Sequence, residues 1–128
     1  MELTAAALLD ELRAQARPDE FPLRHYHGDG GVLGVRMGTT FEISKRFTDL
    51  PLTEVDRLLD VPQYEPRMAA FCVLDFKARK AKLPGDDRQA AYELYLRRHD
   101  RIDSWDMVDR AAPQVIGRYL IDRSSADR

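Results

Sequence analysis

Cysteine is almost absent: Cys72 stands alone among 128 residues, inside the apolar run MAAFCVLDF. A disulfide framework and a cysteine-built zinc site are therefore excluded within one chain, and Cys72 reads as a small buried hydrophobe. Long apolar runs are missing too. Nothing approaches the roughly 20 apolar residues that span a bilayer, and the start MELTAAALLDELRAQ lacks the basic opening and small-residue cleavage site of a secretory signal. The expectation is a cytoplasmic protein without a membrane partner. Nor is there an excess of positive charge, since 20 Lys and Arg against 22 Asp and Glu leave −2. Any nucleic-acid partner has to be argued from where the cations lie, because phosphate affinity is set by local clusters. The GDGG run at 28–31 lacks the Lys-Ser/Thr ending of a phosphate-binding loop and reads as a turn. His25, His27 and Asp29 are too few for a ligand set, so no metal is expected, and no cofactor motif is present.

What is there is a composition fit for one compact domain: 44% hydrophobic residues for a core and 33% charged residues for a solvated surface. Apolar residues recur at helical spacing. Leu3, Ala6, Ala7, Leu9 (or Leu8) and Leu12 give a first helix limited by Pro18. Residues 17–32, rich in Pro, Gly and polar side chains, predict a long loop. Thr39 three residues before Glu42 has the pattern of a capping box opening a helix with Phe41, Ile43 and Phe47 inward. Thr53 suggests a similar start, with Leu52, Val55, Leu58 and Leu59 inward and an end near Pro62.

Residues 64 to about 82 predict the longest helix, with Pro66 tolerated in its first turn. Met68, Phe71, Cys72, Leu74, Asp75 and Phe76 make it apolar around most of its circumference, hence central. Pro84 and Gly85 end it. Residues 87–99 predict a further helix with Ala91, Leu94, Tyr95 and Leu96 inward. Asp103 or Ser104 can cap the next, bearing Trp105, Met107 and Val108, and Pro113 suits the first turn of a last helix carrying Val115, Ile116, Tyr119 and Leu120. Only residues 32–35 look β-like, too briefly to matter. The fold class is all-α with antiparallel helices, a bundle or a solenoid by periodicity alone. Phe71, Cys72, Leu74, Leu94 and Trp105 are expected in the core.

Residues 104–124 read SWDMVDRAAPQVIGRYLIDRS, preceded by YELYLRRHDRID; upstream lie VPQYEPRMAAFCVLDF and VLGVRM. In this order, over roughly residues 20–124, the chain resembles the DNA alkylation repair family of HEAT-like proteins. There, a Trp-Asp-x-Val-Asp helix is followed by one that begins near a Pro and contains a Gly. The resemblance implies antiparallel helical pairs stacked as a HEAT-like α-solenoid, with residues 1–128 as one domain forming the N-terminal part of a longer architecture. It also implies a concave basic face for alkylated double-stranded DNA, and hydrolysis of the N-glycosidic bond of N3- or N7-alkylated purines. Trp105 and Asp109 match the aromatic and carboxylate of the family's active-site helix. Family members are longer, with C-terminal repeats that add DNA contacts and a further active-site Arg and Trp. This chain is accordingly expected to be a fragment, a truncated product, or a subunit that self-associates through the open side of its last helix.

Four residues apart on a helix, Trp105 and Asp109 share a face. An alkylated purine is already cationic and needs no acid to leave, so a carboxylate beside the sugar would meet the positive charge that develops there. The indole offers a π face to sugar or cation. Taken without the family, the same two residues are a core tryptophan and a solvated aspartate, or a partner for Arg110 or Arg101. Basic residues cluster as Lys77, Arg79, Lys80 and Lys82, and as Arg97, Arg98 and Arg101. Either these are DNA-facing cations of successive repeats or they are solvated helix ends that suit the helix dipole. A non-catalytic HEAT-like DNA-binding module and a protein scaffold are the competing functions.

Overall fold

The computed structural model describes residues 2–20, 30–80, 84–102 and 105–121. The described residues form six α-helices and no strand: α1 (Ala5–Ala14), α2 (Met37–Arg46), α3 (Leu52–Leu59), α4 (Tyr64–Ala78), α5 (Gly85–Arg97) and α6 (Trp105–Ala112). A 3₁₀ turn, His99–Arg101, follows α5, and a π-helical stretch, Pro113–Arg118, follows α6.

α4 is the axis of the molecule. Tyr64, Met68, Ala69, Ala70, Phe71, Cys72, Val73, Leu74 and Ala78 are all buried, so apolar residues leave it on every side. A helix patterned this way has no solvent face to prefer and must be surrounded. α2, α3 and α6 pack along it, with α1 and α5 also in contact. Val55, Leu58 and Leu59 come from α3, Ile43 from α2, Met107 and Ala111 from α6. Phe71 meets Tyr95 of α5 edge-on at 5.7 Å, and Tyr92 stacks on Tyr119 at 4.2 Å, holding α5 against the chain that follows α6. Cys72 is buried within this core, and desolvation pushes its thiol up to about 12.

Helix directions follow from end-to-end contacts. Leu52, opening α3, and Asp87, in the first turn of α5, line one cavity with Lys77 from the end of α4. At the opposite end, Asp56 and Asp60 of the α3 terminus pair with Arg98, just beyond α5. α3 and α5 therefore run the same way and α4 against both. Arg88 donates to the carbonyls of Ala78 (2.7 Å) and Lys80 (2.6 Å), satisfying orphan acceptors where α4 ends.

The extended segment 30–35 is tied down at the start of α4. Glu65, fully buried in the first turn of α4, accepts from the backbone N–H groups of Leu33 (2.7 Å), Gly34 (2.9 Å) and Val35 (3.0 Å). A carboxylate here also suits the helix dipole. Tyr64 N–H donates to the Gly31 carbonyl, and Arg17 N–H to that of Gly34. The passage is so close that a Cβ on Gly30 would sit 1.7 Å from the Pro62 carbonyl oxygen. Gly34 has φ +86°, and a Cβ there would lie 2.3 Å from Pro18 Cα. Gly34→Ala should thus combine left-handed strain with overpacking, a loss of about 2–4 kcal/mol, read as a lower denaturation midpoint with the slope unchanged.

Several sequence expectations need correction. Neither Thr39 nor Thr53 caps a helix: α2 starts at Met37 after Arg36, and α3 at Leu52 after Pro51, both preceding residues being extended in ψ. Thr40 and Ser44 are instead buried inside α2, their hydroxyls donating to the carbonyls of Arg36 (3.3 Å) and Thr40 (2.7 Å). Among the described residues the side-chain cap is Thr4, which accepts from Ala7 N–H at 3.1 Å. α4 ends at Ala78 rather than near 82, and α5 spans Gly85–Arg97 rather than 87–99.

Pro113 stands in the first turn of the π-helical stretch, as expected, but no break separates that stretch from α6. Ala112 is helical and α6 continues through it, because the wider π turns leave room for a proline ring and its missing N–H. In α1, Leu8 rather than Leu9 is buried, and Ala6 faces solvent. Leu96, expected inward, is 46% exposed, as is Leu120. Phe71, Cys72, Leu74 and Leu94 are in the core as expected; the Trp105 side chain, the 103–104 cap, Lys82 and the His25, His27, Asp29 set lie outside the described residues.

Candidate active site and nucleic-acid interface

The helix that carries the candidate site is oriented by Met107 and Ala111, four residues apart and both fully buried, which turn one face of α6 onto α4. Asp109 lies two residues from each, about 200° around the helix, and is exposed. The Trp105 position is one turn earlier on that same helix.

Arg110 does not pair with Asp109. It leaves α6 in another direction, over the Phe41 ring of α2 at 4.0 Å from the centroid, with Nη1 3.8 Å from Oδ2 of Asp75. Asp75 is fully buried in α4 and accepts from Arg79 Nε at 3.0 Å on both oxygens. Arg101, the other partner considered for Asp109, pairs with Asp60 (3.4 Å) and Asp100 (2.8 Å). Asp109 thus has no ion pair among the described residues.

The basic residues occupy two places. At the end of α4, Lys77 is partly buried beside Pro51, Leu52 and Asp87 in a cavity of about 220 Å³. Desolvation, with Lys80 nearby, moves its amine below the usual lysine range. Arg79 turns to Asp75 and Lys80 to Asp49. The Lys80 hydrogen bond and charge hold the Asp49 carboxyl below its ordinary value. Beyond α5, Arg98 bonds Asp60 and lies 3.2 Å from Asp56, lowering the Asp60 pKa chiefly through that hydrogen bond. Arg97 is held least, 4.0 Å from Asp56 and 65% exposed. Each cluster is matched by nearby acids, Arg79 by Asp75 of its own helix and Lys80, Arg98 and Arg101 by Asp49 and the acids of the α3 terminus, and the described contacts do not join the two.

Two features carry little signal in the sequence. Glu65 is legible there only as a first-turn acid, although it organises the 30–35 segment. Asp75 is the one acid within MAAFCVLDF, and that isolation is the available sign of a special carboxylate. Among the described residues no group of three or more His, Cys, Asp or Glu could hold a metal, and no helix is long and apolar enough to cross a membrane.

No curated protein and no solved structure matches the chain. The profile of a family described as DNA alkylation repair enzyme matches residues 8–128, a span that includes the Glu65 clamp, the α4 core and the whole of α6. The chain belongs to the DNA alkylation repair enzyme family.

Proposed function

We propose that this protein is an alkylpurine DNA glycosylase, its antiparallel helices stacked as a HEAT-like solenoid, with Asp109 as the catalytic carboxylate. The observation that carries this reading is the contrast among the acids. Asp49, Asp56, Asp60 and Asp75 are each committed to Lys or Arg, whereas Asp109 stands exposed on α6 with no ion pair among the described residues. Asp10, Glu42 and Asp86 are likewise exposed, and what singles out Asp109 among them is its place on α6 one turn after Trp105.

In the proposed reaction the bond from C1′ to N9 of the alkylated purine breaks, its electron pair staying with the cationic base and neutralising it. Asp109 stabilises the positive charge that grows on the deoxyribose. A water oxygen then bonds to C1′ and its proton passes to the carboxylate and on to solvent. Trp105 supplies the flat face for the sugar or cationic base, an attraction of about 1–2 kcal/mol in a desolvated site. The parallel run of α3 and α5 against α4 suits stacked helical pairs, whose equivalent positions line one surface. Lys77, Arg79, Lys80, Lys82, Arg97, Arg98 and Arg101 are the proposed duplex contacts.

The direct test is incubation of the chain with N-methylated duplex DNA and chromatography of the released bases. Free 3-methyladenine or 7-methylguanine supports the proposal; duplex binding without release would make the chain a non-catalytic DNA-binding module. Arg97 is exposed and only loosely paired, 4.0 Å from Asp56, so it gives up little to reach a phosphate. Arg97→Ala should weaken binding to all duplex sequences alike and lower the salt-dependence slope by about one, measured by anisotropy across a KCl series.

A further inference from the structure

Asp75 is costly where it stands. A carboxylate removed from water loses several kcal/mol unless it is paired, and Arg79 alone would match its charge. Yet a second guanidinium, that of Arg110, also faces it at 3.8 Å, so the group of Asp75, Arg79 and Arg110 carries one surplus positive charge. Arg110 is held without being consumed. The Phe41 ring lies under it at 4.0 Å, its distance from Asp75 is beyond hydrogen-bonding range, and among the described residues no acceptor takes its N–H groups. Its side chain is 29% exposed. A guanidinium seated on a ring face and oriented by a buried carboxylate has lost most of its freedom in advance. Its donor fork matches the oxygens of a phosphate.

We infer that Arg110 is a binding group for a backbone phosphate of duplex DNA, and that Asp75 and Phe41 are positioning residues that hold its fork in place. The inference rests on the DNA-repair reading of Asp109, which neighbours Arg110 at about 100° around the same helix. A phosphate on Arg110 would flank the nucleotide whose sugar faces Asp109. The site meets the cluster at the end of α4 only through Arg79, which shares Asp75; the Arg110 guanidinium is oriented by contacts that leave its donors available.

The test uses the full chain, a labelled duplex and a KCl series. Arg110→Gln should weaken binding about tenfold and lower the slope by about one. Asp75→Asn separates positioning from charge. It removes a negative charge, so a purely electrostatic role predicts tighter binding to the polyanion, whereas positioning predicts weaker binding. Phe41→Leu, which leaves all charges in place and provides a readout should Asp75→Asn fold poorly, should also weaken binding. Arg110→Lys should keep the slope but lose affinity, for want of the planar fork. Wild-type affinity and slope in Arg110→Gln, or tighter binding in Asp75→Asn, would overturn the inference while wild-type binding and excision left the glycosylase reading intact. A wild-type chain that binds no duplex at low salt would overturn the underlying reading and this inference with it.

Discussion

Glu65→Leu should leave the chain largely unfolded, or lower its stability by about 3–6 kcal/mol. Three backbone donors, on Leu33, Gly34 and Val35, end on this one carboxylate, and Gly34 and Val35 are buried. Leucine fills a similar volume but accepts nothing, so the donors would be stranded away from water at about 1–3 kcal/mol each. Domains of this size are stable by only about 5–15 kcal/mol, so the loss approaches the whole. Glu65→Gln keeps one acceptor oxygen but turns an amide N–H₂ toward N–H groups, and should fall between the two. Chemical denaturation followed by circular dichroism reads the series. A Glu65→Leu midpoint equal to that of the wild type would mean that the clamp contributes nothing.

The core is legible where side-chain pattern alone decides. α4 is apolar around its circumference, and such a helix has only one place to go, so its centrality follows from the pattern of residues 68–76 by itself. α3, with Leu52, Val55, Leu58 and Leu59 on one stripe, is equally plain. Helix starts are less so, because capping motifs compete with backbone geometry. After Arg36 and Pro51 the chain turns helical at once, and Thr39 and Thr53 fall inside, where they cap nothing. Pro113 misleads for a related reason: proline signals a boundary on average, but a π turn absorbs it here.

The candidate site is legible only in part. Trp105 and Asp109 stand out through their spacing in WDMVD, a local signal. Residues that meet across the fold carry no such signature. The partners of Glu65 lie about thirty residues before it, and Asp75, Arg110 and Phe41 come from three helices. The acids that match Arg98 and Lys80 are likewise invisible until α3 is set beside α5 and Asp49 near the end of α4.

The catalytic assignment bears on one carboxylate. Asp109→Asn changes a single charged oxygen on an exposed position, so the fold should be untouched; surface substitutions of this kind usually stay within about 0.5 kcal/mol. Asparagine keeps the shape and can still hydrogen-bond, but it cannot answer a full positive charge developing on the sugar. Stabilisation of this kind is worth about 3–4 kcal/mol, or two to three powers of ten in rate. Release of methylated purines from duplex DNA in single-turnover excess of enzyme, with duplex affinity measured on the same preparations, isolates that contribution. The account predicts excision slowed by about a hundredfold to a thousandfold at unchanged affinity and unchanged melting behaviour. Excision by Asp109→Asn at the wild-type rate would contradict it and remove Asp109 from the chemistry.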